Sequence, residues 1–163
     1  MRRGLGTQLR HLLELLDGAV GLVYEQAGLC YRPRYSPVMR ALREAEPLTV
    51  TQVAESAGIT QPAATQTVGL MVKDGLISAK PGSHDGRQRL IHLTSKGREM
   101  LPKLETYWEA TTHAAAALDA DLPFPLGQIV EHAIAALTQK PFESRIAEAR
   151  AKLVRRRKPK SRR

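Results

Sequence analysis

The stretch from Val53 to Met71 constrains the fold of this chain more than any other. Val53, Ala54, Ala57, Gly58 and Ile59, followed by Ala64, Val68 and Met71, carry the spacing of two helices crossed over a tight turn. Ala54 is small where the helices approach, Gly58 permits the turn, and Ile59 plugs the space between them. Ala64, Val68 and Met71 form the stripe that the second helix buries, which leaves its other face free. Thr51 is the expected cap of a first helix running through Ala57. Thr60 is the expected N-cap of the second, with Pro62 in its first turn, where the missing N–H is harmless, and Gly75 as its stop. The pattern is a helix-turn-helix.

The flanks are helical on both sides. Leu9, Leu12, Leu13, Leu16, Val20, Val23 and Ala27 recur at three- and four-residue spacing from Thr7 to Ala27, with Arg10, Glu14 and Asp17 opposite, which predicts a long amphipathic helix. Tyr31 to Pro37 is expected as a loop leading into a short helix, Ser36 to about Glu46, stopped by Pro47. Leu76–Ala79 and Arg89–Leu93 flank the turn-forming tract Pro81-Gly82-Ser83-His84-Asp85-Gly86, a hairpin with a basic tip. A long helix then starts at Thr94 or Ser95 and runs to about Leu118, with a bend expected at Pro102. Two more helical patterns, Leu126 to Thr138 and Phe142 to Val154, follow the Asp119–Pro125 loop. The expected fold class is therefore mainly α with a small β-hairpin wing. Residues 31–94 form the winged helix-turn-helix, and helical regions 1–30 and 95–154 must pack together away from the hairpin.

Charge points to a polyanionic partner. The 163 residues carry 25 Lys and Arg against 16 Asp and Glu, a net +9, which suits nucleic acid or an acidic membrane surface. Much of that excess is local, in Lys152, Arg155, Arg156, Arg157, Lys158, Lys160, Arg162 and Arg163. Residues 155–163 are expected as a disordered basic tail, because they have no apolar surface to bury. The tail is either a solubilising end or a non-specific grip on phosphates that weakens with salt. No apolar run approaches the roughly 20 residues that span a bilayer, and Met1 to Gly18 lacks the pattern of a signal peptide. A cytoplasmic, nucleoid-associated location without membrane contact is the expectation. The single cysteine, Cys30, excludes an internal disulfide and a cysteine-based zinc site. His92, His113 and His132 lack metal-ligand spacing, and no cofactor is expected.

On the second helix of the motif, Thr60, Gln61, Pro62, Ala63, Thr65 and Gln66 lie near the N-terminus, the end that enters the major groove in such motifs. Glutamine can pair bidentately with adenine, and small apolar or methyl-bearing side chains can touch thymine methyls. This face therefore implies an A·T-leaning duplex site, with Lys73 and Lys80 meeting phosphates. Arg155, Arg156 and Arg157 are further candidate phosphate contacts.

Leu48-Thr49-Val50-Thr51-Gln52-Val53-Ala54 through Gly75-Leu76-Ile77, then Asp85-Gly86-Arg87 and Leu93-Thr94-Ser95-Lys96-Gly97, resembles the MarR family of bacterial winged helix-turn-helix transcriptional regulators. The resemblance covers about Thr7 to Thr138. It implies a homodimer joined through residues 1–30 and 95–154, reading a pseudo-palindromic double-stranded DNA site as a regulator, more often a repressor. It also implies a wing of Lys80, Ser83, His84, Asp85, Arg87 and Arg89 in which Arg87 enters a minor groove and Asp85 holds it by an ion pair. Physics supports those roles, since narrow minor grooves concentrate negative potential and a carboxylate fixes a guanidinium's direction. Many relatives have a further arginine where this chain has Gly86.

Two further readings come with the resemblance. Relatives bind small aromatic or anionic effectors between the reader and the dimer helices, where His11, Tyr24, Tyr31, Tyr35 and Arg40 could border a pocket or simply pack. Peroxide-sensing relatives carry a reactive cysteine near the first helix, as Cys30 is here, although a lone cysteine also serves as a small hydrophobe. The rival classes are an enzyme and an RNA-binding or protein-docking winged helix. The chain has no Gly-rich nucleotide loop after a strand, no nucleophile elbow and no zinc-site spacing, so no catalytic role is expected.

Overall fold

In the computed structural model, which describes residues 4–82 and 89–157, the elements run α1 (Leu5–Gln26), a 3-10 turn (Pro33–Tyr35), α2 (Ser36–Glu44), β1 (Leu48–Thr49), α3 (Val50–Ala57), α4 (Gln61–Lys73), β2 (Ile77–Pro81), β3 (Arg89–Leu93), α5 (Ser95–Ala120), α6 (Leu126–Gln139) and α7 (Phe142–Arg157). The fold is mainly helical with one small sheet, as expected. That sheet has three strands rather than two, in the order β1-β3-β2. β2 and β3 pair antiparallel with Ile77 opposite Leu93 and Pro81 opposite Arg89. β1 adds Leu48 opposite Ile91 and Thr49 opposite Leu90, so the strand preceding the helix-turn-helix is stitched to the hairpin following it.

Local chemistry sets the helix boundaries. α3 is capped by Thr49, not Thr51: the Thr49 hydroxyl accepts from the Gln52 backbone N–H while the Gln52 side chain accepts from that of Thr49. This reciprocal box satisfies two N–H groups that the helix start leaves without partners. Its C-terminus closes at Gly58, whose φ of +64° lies in the left-handed region open to glycine at little cost. The Ile59 N–H then bonds back to the Ala54 carbonyl. Thr60 caps α4 as expected, its hydroxyl accepting from the Ala63 N–H at 3.4 Å. α5 continues as one element through Pro102.

The chain divides into two compact units, 1–111 and 112–163. In the first, Tyr35, Val38, Met39, Leu42, Val53, Ala64, Met71, Leu76, Ile77, Ile91 and Leu104 are buried. Each such side chain contributes about 1.5–3 kcal/mol by leaving water. Tyr24 of α1 and Trp108 of α5 belong to the same core, which is why this unit reaches beyond the 31–94 expected for the reader. Tyr24, Tyr31 and Tyr35 stack edge to face in series, with ring centroids 5.2 and 5.7 Å apart, and Tyr107 closes on Tyr24 at 5.9 Å.

The junction between the sheet and α5 is tight. The Leu76 carbonyl accepts from both the backbone N–H and the hydroxyl of Thr94, at 3.1 and 3.0 Å. The same hydroxyl caps α5 by accepting from the Gly97 N–H. A Cβ on Gly97 would stand 2.2 Å from the Leu76 oxygen, so the Leu-Thr-x-x-Gly pattern records a place where a helix start presses on a strand.

In the second unit, α6 and α7 bury no side chain. Ile129, Val130, Ile134, Leu137, Phe142, Ile146, Leu153 and Val154 are exposed. Arg145 satisfies the end of α6 by donating to the carbonyls of Ala136 and Lys140. α7 runs through Arg157, so Arg155, Arg156 and Arg157 are helical rather than part of a disordered tail. Arginine is a good helix former, and a helix already under way extends at little cost.

Candidate nucleic-acid interface

α4 is divided into two faces by its own sequence. Ala64, Thr67, Val68 and Met71 are buried, while Thr60, Gln61, Pro62, Ala63, Thr65, Gln66, Gly69 and Lys73 are exposed. With about 3.6 residues per turn, Pro62, Gln66, Gly69 and Lys73 lie along the line opposite the buried stripe. The whole expected reading set is thus outward on a single helix. Gly69 has nothing within 4 Å of where a Cβ would sit, so internal packing does not account for a residue that costs a helix about 1 kcal/mol.

Polar contacts order this face. Gln61 donates from Nε2 to the Thr51 hydroxyl at 3.3 Å, tying α4 to α3. Thr65 donates its hydroxyl to the Gln61 carbonyl at 2.9 Å. Arg34, in the 3-10 turn, donates from Nη2 to Gln66 Oε1 at 2.9 Å. Sequence reasoning passed over Arg34, because nothing in the Tyr31–Pro37 tract marks which side chain the fold will carry to α4. Its backbone is held by the next residue: Tyr35 is fully buried and donates its hydroxyl to Asp74 Oδ2 at 2.7 Å, at the end of α4. Burial, followed by that hydrogen bond, raises the Tyr35 phenol above its usual pKa and keeps it a donor.

Beside α4, Lys80 and Arg89 are exposed on β2 and β3, one residue out of register from each other, at the base of the hairpin. Glu46 braces the far end of β3. Its carboxylate accepts from the Leu93 N–H at 3.0 Å and pairs with Arg98. The wing-tip residues Ser83, His84, Asp85 and Arg87, with the expected Asp85–Arg87 pair, lie outside the described residues, as does the tail beyond Arg157.

The expected effector residues are not gathered around one cavity. Tyr24 and Tyr35 are buried in the ring stack and close the core instead of opening a pocket, because edge-to-face packing removes the space between them. His11 faces Glu14 on exposed α1. Arg40 lies over the Trp108 ring at 4.6 Å and borders an open cleft of about 340 Å³ with Ser36, Pro37, Ala41, Glu44, Ser56 and Ala57. Tyr31 is largely buried, and burial pushes its phenol well above the usual range. Cys30 is exposed and borders a second cleft, about 420 Å³, with Tyr31, Arg32, Asp74 and Lys96. No helix among the described residues is long and apolar enough to cross a membrane.

With this geometry in hand, comparison with known proteins is informative. Residues 32–88, which hold the helix-turn-helix and the hairpin, match the sequence profile of the MarR family. The transcriptional regulator PetP of Rhodobacter capsulatus is 36% identical over 50 residues, covering 31% of this chain and 30% of PetP. An uncharacterized HTH-type transcriptional regulator of Staphylococcus aureus is 27% identical over 63 residues, 39% of this chain and 43% of that protein. The matched segments thus span less than half the length of these relatives. Among solved structures, the Mycobacterium tuberculosis regulator MOSR, in complex with DNA, aligns with TM-score 0.61 and 23% identity over 90% of this chain and 98% of its own. PcaV of Streptomyces coelicolor, in complex with its natural ligand, aligns with TM-score 0.56 and 21% identity over 86% and 98%. At such identities the alignments establish a shared fold.

Proposed function

We propose, for a chain whose residues 32–88 carry the MarR-family module, a double-stranded DNA-binding transcriptional regulator that acts as a homodimer on a pseudo-palindromic site. The observation that carries this is the outward face of α4, polar and fully exposed from Thr60 to Gln66 and backed by a buried stripe, next to a hairpin whose base bears Lys80 and Arg89. Such a helix fits the major groove, about 12 Å wide. Lys73, Lys80, Arg89 and Arg155–Arg157 supply phosphate contacts, and Asp85 with Arg87 form the wing tip.

Dimerisation accounts for the apolar surface of the terminal helices. On α1, Leu5, Leu9, Leu13, Leu16, Leu22 and Val23 are exposed, and α6 and α7 bury nothing. Apolar surface of that extent is unusual for a monomer. Two readers related by a twofold place their recognition helices about one turn of duplex apart, 34–36 Å. In this reading the protein represses transcription from the nucleoid and is released by a small aromatic or anionic effector. The cleft beside Arg40 and Trp108 offers a cation and a ring face to such a ligand, and PcaV binds its ligand on the same fold.

Selection of duplexes from a random pool, at two salt concentrations, tests the proposal. Enrichment of an inverted repeat, with affinity falling steeply as salt rises, is the expected outcome. A pool with no symmetric element, or equal retention of structured RNA and duplex, would refute it.

A further inference from the structure

We infer that Arg34 is a specificity-determining residue: by holding the oxygen of the Gln66 side chain, it commits that amide to donating, so that Gln66 selects guanine instead of adenine. The inference rests on the DNA-reading role of α4 proposed above. Its basis is one contact and the chemistry of its two groups. Arg34 Nη2 lies 2.9 Å from Gln66 Oε1. A guanidinium has five N–H donors and no acceptor, so only the oxygen of the amide can face it. The Gln66 –NH₂ then points away from Arg34. Gln61 is not constrained in this way, because its partner is the Thr51 hydroxyl, which both donates and accepts and so tolerates either amide orientation.

Position and rigidity support the assignment. Gln66 sits at the middle of the outward line of α4, between Pro62 and Gly69. Arg34 approaches from outside that helix, on a turn anchored by buried Tyr35 and its 2.7 Å bond to Asp74. The guanidinium is exposed, so in the free protein water competes for the contact. Against a duplex the water is excluded, and a charge-assisted hydrogen bond strengthens as the local dielectric falls.

The base preference follows from the groove pattern. Adenine presents an acceptor at N7 and a donor at its N6 amino group, and matching both requires a glutamine that donates and accepts. With its oxygen occupied, Gln66 would set an N–H against the adenine amino group. Guanine presents two acceptors, N7 and O6, which suit a donor-only amide. The A·T-leaning expectation from glutamine alone is therefore reversed at this one position, while Gln61, Ala63 and Thr65 keep theirs.

The test is duplex selection with the full-length wild type, Arg34→Ala, Arg34→Gln, Gln66→Ala and the Arg34→Ala/Gln66→Ala double variant. The wild type is expected to enrich guanine at one symmetry-related position. Arg34→Ala and Arg34→Gln should lose that preference by roughly tenfold or turn it to adenine, within the ~5- to 150-fold worth of a bidentate base contact, with the other positions unchanged. The double variant should match Gln66→Ala, because Arg34 acts through Gln66. In the free wild type, the Gln66 side-chain amide resonances should differ from those of Arg34→Ala. An Arg34→Ala consensus identical to wild type overturns the inference, and so does a uniform loss across all positions, which is the mark of a phosphate contact. Failure of the wild type to bind any duplex would instead sink the DNA-reading proposal, and this inference with it.

Discussion

Gly97→Ala isolates the junction between the sheet and α5. The new Cβ would stand 2.2 Å from the Leu76 carbonyl oxygen, whereas real Cβ atoms keep beyond 3.0 Å, and the obstacle is backbone that no rotamer change can clear. Moving Leu76 disturbs both hydrogen bonds that its carbonyl accepts from Thr94. Forcing extra atoms into a packed site costs about 1–3 kcal/mol, and the helix-propensity gain of alanine offsets at most about 1 kcal/mol. A net loss of roughly 1–2 kcal/mol lowers the melting temperature by roughly 2–8 °C for a chain of this size. Urea unfolding followed by circular dichroism reads the same loss as a lower midpoint with unchanged slope. Gly69→Ala is the internal control, because its Cβ meets nothing within 4 Å and should raise stability by up to about 1 kcal/mol. If Gly97→Ala unfolds at or above the wild-type midpoint, the packing argument is wrong.

The remaining predictions concern the sheet, the core and the reading face. Glu46→Ala leaves the Leu93 N–H without its carboxylate acceptor and Arg98 without its ion pair. The expected cost is about 1–3 kcal/mol, with faster hydrogen exchange at Leu93, and an unchanged midpoint would dismiss the brace. Tyr31 and Tyr35 both have raised phenol pKa values in the fold, chiefly through burial. Their contribution to stability is complete below the unfolded value near 10 and is lost as pH climbs above it, because only the unfolded chain can then ionise. Denaturation midpoints should fall above about pH 10, and Tyr31→Phe should flatten the decline; equal slopes in the two proteins would refute the assignment. Gly69→Ala, although more stable, should bind duplex more weakly, since its methyl stands on the outward line of α4; unchanged affinity would place that stretch away from DNA.

Much of the reader was legible because its signals are local. Thr60, Gly58 and Gly75 each act within one helical turn, and alternation places β3 at Arg89–Leu93. The Thr49 cap was legible too: Thr49-Val50-Thr51-Gln52 spells a capping box, which Thr51, followed three residues later by Ala54, does not. β1 was not, since two residues carry no period and become a strand only when β3 supplies partners. The role of Arg34 is a long-range fact, 32 residues in sequence from Gln66, and no periodicity reveals it. The tyrosines show the opposite failure: aromatic residues near helix ends suit a pocket or a core equally, and only the edge-to-face geometry decides.

The central claim is that two copies of α4 face base edges from a twofold-related pair. Methylation interference on a selected duplex reads this directly, because guanine N7 lies in the major groove. The account predicts two symmetric clusters of interference about one helical turn apart, 10–10.5 base pairs, both lost in a Gln61→Ala/Gln66→Ala variant that still dimerises. A single cluster, or interference that persists in that variant, would contradict it.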